Sequence, residues 1–266
     1  MSAVVNGASL LATCGLIVAQ GKRSTPEAAG RDVQVASAAG AYGGYALLQG
    51  TGGGELGIDG TVVGAPNIAS GDQTGASNAQ LLANLAALRQ LTQGDQAVGL
   101  GNMPDREWHG HLKSMTASYN GADEVAVSAA VSLRWAIPDP LAIAVAETVL
   151  PGTDVALALG NAPTPLRVEL YNSGGTPITQ VVVAVLRGGV ALQSFTWTGS
   201  IAAAASWVLD DEGATVTNAG ANAIDGVAAS SVFPIADPLD AANRVTVALT
   251  GGTAAVCVRY HKRWLG

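Results

Sequence analysis

Two of the three histidines, His109 and His111, lie in the segment NMPDREWHGHL, residues 102–112, at a spacing that could bind a metal ion. Side chains two residues apart share one face of a β-strand, so both imidazoles could reach the same ion. A structural zinc site needs four protein ligands, however, and a catalytic one usually has three. The remaining histidine, His261, lies near the other end of the chain, and no H-E-x-x-H spacing supplies carboxylates. We therefore expect no metal centre, and we predict a strand that carries both histidines on its polar face.

Two glycine motifs suggest nucleotide binding but lack the context that it requires. Gly52, Gly54 and Gly57 follow the order G-x-G-x-x-G. Such a loop holds a pyrophosphate only where it follows a strand and begins a helix. Here it runs into the alternating pattern of residues 54–63, which indicates a strand. The only Gly-Lys pair, residues 21–22, lacks the upstream glycine of a phosphate-binding loop. We expect no bound cofactor.

No arrangement of nucleophile and base indicates catalysis. The sequence contains no G-x-S-x-G motif, and only three histidines could serve as a base. The acidic cluster Asp210, Asp211 and Glu212 lacks the ligand spacing of a calcium loop, so we interpret it as a solvated turn. The residue types therefore predict a protein that is not an enzyme.

The composition favours β-structure around substantial cores. Of 266 residues, 48% are hydrophobic and only 12% are charged, and 34 are glycine. Two cysteines, Cys14 and Cys257, are too few for a disulfide framework, and we expect both to be small buried hydrophobic residues. No stretch approaches the roughly 18 consecutive apolar residues that would span a membrane.

The charge balance argues against specific binding of nucleic acid. The formal net charge is −7, and residues 1–154 hold 13 acidic and 7 basic side chains. Phosphate contacts need clustered lysine and arginine, which this chain does not offer.

Hydrophobic periodicity predicts a mainly β first domain with one helix. Alternation of apolar and polar residues predicts strands at residues 31–37, 54–63, 107–115 and 124–135. A helix is predicted at about residues 77–93, because leucines recur at helical spacing. Its start carries Ser77 and Gln80 in the order of a capping box, and Gly94 should end it. Leu81, Leu85 and Leu88 should form its apolar face, flanked by Leu82 and Leu91.

A proline-rich stretch around residues 137–165 predicts a domain boundary near residue 140. The predicted domains are therefore 1–140 and 141–266. The sequence of the second domain predicts short strands separated by glycine turns, a pattern typical of a β-sandwich or jelly roll. Its aromatic residues Phe195, Trp197 and Trp207 could stack on sugar rings if exposed, but we expect them in the core, because aromatic residues are scarce.

The order of several segments resembles the siphophage distal tail protein family. The first half carries VVNGASLLATCGLIVAQG (4–21), GRDVQVASAAGAYGG (30–44), GIDGTVVG (57–64), the leucine-rich helix, NMPDREWHGHL and VSLRWAIPDPLA (131–142). This order resembles the N-terminal domain of the family. The second half, from GNAPTPLRVELYN through SFTWTGSIAAAASWVLDD to VCVRYHKRWLG, is similar to its C-terminal galectin-like β-sandwich.

The resemblance implies a homohexameric ring at the tip of a long phage tail, within the virion. Such a ring joins the tail-tube protein to the tail-tip hub and often to receptor-binding proteins. The first domain would form a belt around the DNA channel, and the second would project outward. DNA would pass through without being specifically bound. A gene-transfer agent or another tail-like particle fits the same resemblance.

Six residues are candidates for roles in such a ring. Glu55 and Asp59 lie on the polar face of one predicted strand, and their negative charge on a channel wall would keep DNA from sticking. Arg106, Glu107 and the histidines His109 and His111 would be available to neighbouring subunits. The alternative function is a carbohydrate-binding β-sandwich adhesin. Galectin-type sugar binding generally relies on a polar set that includes a histidine beside a tryptophan, and the second domain offers only His261, at its far end.

Overall fold

Two β-rich units make up the computed structural model. It describes residues 3–24, 31–37, 44–51, 54–66, 74–119, 126–139, 141–238 and 243–264, without the side chains of residues 20–24, 31–37 and 44–51. The first unit lies within Met1–Ile143 and the second is Ala144–Trp264. The predicted mainly β class, a belt-like sheet followed by a β-sandwich, is confirmed.

The described residues of the first unit form ten strands and two helices. The strands are β1 (Ala3–Val5), β2 (Ala8–Ser9), β3 (Leu16–Ser24), β4 (Arg31–Ser37), β5 (Gly44–Thr51), β6 (Gly54–Val63), β7 (Asp95–Leu100), β8 (Met103–Tyr119), β9 (Ser128–Ile137) and β10 (Ala142–Ala144), which reaches the second unit. The helices are α1 (Leu10–Cys14) and α2 (Asn78–Leu91).

A curled antiparallel sheet forms the first unit, with strand order β2-β1-β7-β8-β9-β6-β3. Strands β4 and β5 pair separately as a hairpin. One face of the curled sheet is buried, and its largest side chains there are Trp108 and Trp135. Trp108 points inward as the alternation predicts. The indole N–H of Trp135 donates to the side-chain oxygen of the buried Gln96.

Helix α2 packs on this buried face through Leu81, Leu85 and Leu88, as predicted. The Ser77 hydroxyl accepts a hydrogen bond from the Gln80 amide at 3.2 Å, which is half of the expected capping box. The Gln80 side chain does not complete the box. It donates instead to Asn84 Oδ1 at 2.8 Å.

Two details of the helix prediction are wrong. Leu82 is 50% exposed, so it lies outside the buried face of the helix. The helix ends at Leu91, where Thr92 Oγ1 donates to the Leu88 carbonyl at 2.8 Å, before Gly94 is reached. Hydroxyl back-bonding to a carbonyl four residues earlier competes with continuation of the helix.

Helix α1 was not expected from the sequence. Ser9 caps it by accepting from the Ala12 amide at 3.3 Å, and Gly15 ends it in the left-handed conformation, with φ 64°. Five residues are too few to show a helical period. The cap serine and the terminal glycine were the available signals.

A glycine allows α2 to lie close to the strand that precedes it. A Cβ at Gly64 would lie 2.4 Å from the Ser77 carbonyl oxygen and 2.8 Å from the Leu81 amide nitrogen. Nearby, Asn84 Nδ2 donates to the Val63 carbonyl at 2.7 Å. The start of α2 is therefore fixed against the end of β6 by backbone proximity.

Replacing Gly64 with alanine should lower the free energy of unfolding by about 2 kcal/mol, because both clashing atoms belong to backbone. Urea denaturation followed by circular dichroism measures this loss. Gly99→Ala is the matched control, since a Cβ there meets its nearest atom at 3.6 Å. A loss at Gly99 as large as that at Gly64 would contradict the steric explanation.

The second unit contains strands β11 to β23 and a short 3-10 helix, Ile224–Gly226. The strands are β11 (Thr148–Pro151), β12 (Asp154–Ala156), β13 (Thr164–Pro165), β14 (Arg167–Asn172), β15 (Ile178–Arg187), β16 (Val190–Ile201), β17 (Ser206–Asp210), β18 (Thr215–Asn218), β19 (Ala221–Asn222), β20 (Ile235–Ala236), β21 (Asn243–Gly251), β22 (Ala254–Tyr260) and β23 (Arg263–Trp264).

Two antiparallel sheets of the second unit enclose one hydrophobic core. Their strand orders are β11-β22-β14-β17-β18-β19 and β12-β21-β15-β16. Phe195, Trp197 and Trp207 lie in this core, as predicted. The rings of the two tryptophans are 5.9 Å apart between centroids and tilted by 54°.

Candidate functional site

Polar side chains alternate along the outer face of three neighbouring strands of the first unit, β6, β9 and β8. The register places Asp59 opposite Ser132, which in turn lies opposite Thr116. Glu55 lies on the same face of β6, four residues before Asp59. The part of this surface called here the polar sheet face comprises Glu55, Asp59, Thr61, Lys113, Thr116, Ser118, Ala130, Ser132 and Arg134, and the register continues it through Ala136 and His111 to Asp95 on β7.

An ion-pair cluster occupies one end of the polar sheet face. Arg134 donates to both carboxylate oxygens of Asp59, with distances of 2.9 Å and 3.2 Å, and its Nε is 3.9 Å from Glu55 Oε1. Lys113 Nζ lies 3.1 Å from Glu55 Oε2. Hydrogen bonding to Asp59 raises the pKa of Arg134 above its ordinary value, so its guanidinium stays charged. The two acids and two bases give the cluster no net formal charge.

The rest of the polar sheet face is small and uncharged. Thr116, Ser118 and Ala130 are exposed, and Thr61 and Ser132 are half-buried. These side chains project only a short distance from the sheet. The surface beside the ion pairs is therefore shallow and offers hydroxyl groups to water.

The two histidines point to the same side of β8, as predicted, but each pairs with a different carboxylate. His109 Nε2 lies 2.9 Å from Glu107 Oε1, and His111 Nδ1 lies 2.9 Å from Asp95 Oδ1. Among the described residues, no three His, Cys, Asp or Glu side chains are placed to hold a metal ion. The arrangement consists of two exposed histidine–carboxylate contacts.

Arg106 is separated from these two pairs. It lies 3.6 Å from Asp105, and it alternates onto the same side of β8 as the buried Trp108. The structure therefore brings together Glu107 and His109 but not all four residues predicted for the subunit interface. Asp95, Lys113 and Arg134 contact the predicted residues His111, Glu55 and Asp59, but they were not predicted from the sequence, because these contacts depend on strand register.

The acidic cluster of the second unit forms a turn after β17. Burial raises the pKa of Asp211 from 3.8 to about 6, and its acidic neighbours Asp210 and Glu212 add to the rise while Arg263 opposes it. Glu212 accepts a hydrogen bond from Arg263 at 2.8 Å. The cluster is thus held by an ion pair within the unit.

Asp211→Asn should stabilise the protein at pH 7 and make its stability less dependent on pH. A raised acid pKa means that the folded state favours the proton, so this contribution is complete below pH 3.8 and is lost as the pH rises through about 6. With allowance for solvent screening, we expect a gain of about 1 kcal/mol at pH 7. Urea denaturation at pH 4 and pH 7 measures the difference. A similar gain for the exposed Asp225→Asn would contradict the role of burial.

The features that could bind a sugar in the second unit are dispersed. Trp197 and Trp207 are 3% and 0% exposed, whereas Tyr171 is 49% exposed on the outer face of β14. His261 lies 2.8 Å from the Ala144 carbonyl oxygen through its Nδ1. The tryptophans therefore cannot stack on a sugar without unfolding of the core.

The cysteines are both free, and their environments differ. Cys14 is buried, and burial raises the pKa of its thiol to about 11. Cys257 is half-buried, so the expectation of two buried cysteines holds only for the first. No helix among the described residues is both long and apolar enough to cross a membrane.

Comparison with solved structures identifies the fold. The Dit protein of phage SPP1, described as a paradigm of the hub adsorption apparatus in phages that infect Gram-positive bacteria, matches with a TM-score of 0.69 and 16% identity, covering 99% of both chains. The baseplate of phage P2 in its activated conformation with calcium matches at 7% identity, covering 92% of this chain and 90% of that one. Its TM-score of 0.46 is too low to support an argument.

No protein-family model matches the sequence, and no curated protein is significantly similar to it. The chain has the fold of the SPP1 Dit protein over both of its units. The resemblance to distal tail proteins, first indicated by the order of sequence segments, is confirmed at the level of the fold.

Proposed function

We propose that this protein is a structural component of a phage tail tip, in which six copies form a ring between the tail-tube protein and the tail-tip hub. DNA passes through the ring without being specifically bound, and the chain performs no catalysis. The observation that carries the proposal is the match to the SPP1 Dit protein, which covers 99% of both chains and so includes both units.

In this proposal the first unit forms the ring, and the polar sheet face lines its channel. A channel for DNA must be wet and must offer no hydrophobic or strongly basic surface to the duplex. The polar sheet face satisfies both conditions, because its uncharged residues are small and its two bases, Arg134 and Lys113, are each paired with an acid. Glu55 and Asp59 lie on this wall.

Contacts between ring subunits would include Arg106, Glu107, His109 and His111 on β8. His109 and His111 have side chains that are 58% and 61% exposed and could reach a neighbouring chain. The second unit would project away from the channel and, on some tails, contact receptor-binding proteins. Burial of Trp197 and Trp207 weighs against a carbohydrate-binding adhesin as the alternative.

Native mass spectrometry of the purified protein tests the ring. Six chains of 26.5 kDa would form a particle of about 159 kDa. We expect this particle at micromolar concentration, alone or after addition of the tail-tube or hub protein. A chain that remained at 26.5 kDa at every concentration and with both partners would contradict the proposal.

A further inference from the structure

The ion pairs on the polar sheet face change the charge that this face would present to DNA. The sequence places Glu55 and Asp59 there as bare acids, which predicts an acidic wall. The structure instead adds Arg134 from β9 and Lys113 from β8, at 2.9 Å and 3.1 Å from their acidic partners. Among the described side chains of this cluster, each chain thus contributes two negative and two positive charges.

These pairs contribute little to folding stability. The side chains of Asp59 and Arg134 are 29% and 31% exposed, and those of Glu55 and Lys113 are 46% and 64% exposed. Exposed ion pairs typically contribute about 0–1 kcal/mol each. The cluster therefore has a larger effect on the surface charge than on the free energy of unfolding.

We infer that Arg134 and Lys113 neutralise Glu55 and Asp59 so that the channel wall neither retains nor repels the DNA that passes it. This inference rests on the proposed function. A wall of unpaired carboxylates would raise an electrostatic barrier to DNA. A wall of unpaired lysine and arginine side chains would hold the duplex through its phosphates. Balanced pairs avoid both effects, and they are repeated by each chain around the ring.

The inference predicts that Glu55→Gln with Asp59→Asn turns a passive channel into one that binds DNA. The double substitution leaves Arg134 and Lys113 without their acidic partners. Preassembled rings should then bind linear duplex DNA at least ~10-fold more tightly than unmodified rings at about 50 mM salt, and the gain should largely disappear at about 200 mM. Gel-shift titration at the two salt concentrations measures this.

A matched variant shows whether the gain in DNA affinity depends on where the two acids are removed or only on the change in total charge. Glu147→Gln with Asp154→Asn also removes two acids per chain, and these acids pair with Arg259 and Arg244 in the second unit, at 2.8 Å and 2.7 Å. This variant should not gain comparable affinity. Equal binding by the two variants would show that only total charge matters and would overturn the inference.

A comparison of linear with circular DNA shows whether Arg134 and Lys113 contact DNA inside a channel. Rings of the Glu55→Gln, Asp59→Asn variant should bind linear DNA but not covalently closed circular DNA, because only a free end can enter a preassembled ring. Equal binding of both forms, or no binding of either, would overturn the inference while leaving the ring intact. Electron microscopy of the same samples tests ring formation separately from the charge of the channel wall. Absence of rings in the unmodified protein would contradict the proposed function itself.

Discussion

Replacing Trp207 with alanine should lower the free energy of unfolding of the second unit by about 3–5 kcal/mol. Trp207 is completely buried between the two sheets, where it packs against Trp197. Alanine would leave a cavity that rigid strands on both sides cannot fill. Urea denaturation followed by circular dichroism would report the loss without depending on tryptophan fluorescence.

Two further substitutions, one at Trp207 and one at Tyr171 on the adjacent strand, test whether the lost stability comes from the cavity. Trp207→Phe should cost much less, because Trp207 Nε1 is buried and makes no hydrogen bond with the described residues, so phenylalanine removes an unpaired donor. Tyr171→Ala should cost no more than about 1 kcal/mol, since Tyr171 is 49% exposed on the outer face of the adjacent strand. A loss at Tyr171 equal to that at Trp207 would contradict this account of the core.

Replacing both His109 and His111 with glutamate should prevent ring assembly while leaving the chain folded. Each histidine now lies 2.9 Å from a carboxylate, Glu107 or Asp95, so the substitutions would replace two attractive pairs with two repulsive ones. These pairs lie within one chain, but in the proposed interface the variant would bring four carboxylates per chain against its neighbour, and charges left without a cationic partner there cost several kcal/mol at every subunit contact. Native mass spectrometry should show loss of the particle of about 159 kDa in favour of the 26.5 kDa chain.

The matched control for this variant adds two acids to the opposite side of the first unit. Gln90 and Gln93 are exposed at the end of α2, so Gln90→Glu with Gln93→Glu makes the same change in net charge. We expect this control to assemble as the unmodified protein does. If it dissociates equally, the effect of the histidine variant is one of total charge, and the assignment of the histidines to the interface is wrong.

Much of the fold could be predicted because its patterns are local. The apolar positions Leu81, Leu85 and Leu88 recur with the period of a helix, and the alternation of β6 follows the period of a strand. The length of β8 could not be predicted. It runs from Met103 to Tyr119, but charged residues near its start and a bulge between Leu112 and Ser114 interrupt the alternation.

The composition of the candidate site was less predictable, because it depends on which strands are neighbours. Alternation places Glu55 and Asp59 on one face, but it does not show that Arg134 pairs with that face from β9. Alternation along β8 places Lys113 on the same face as His109 and His111, but it does not show that Glu55 of β6 lies within 3.1 Å of its Nζ. Strand order and register are long-range properties, and a single sequence does not contain them in any local pattern.

Cryo-electron microscopy of the purified protein tests the central claim most directly. We predict closed rings of six copies around a central opening, with β6, β8 and β9 facing that opening and Arg134 and Asp59 exposed on its wall. Particles made of single chains, or closed assemblies in which the polar sheet face is buried against another subunit, would contradict the claim.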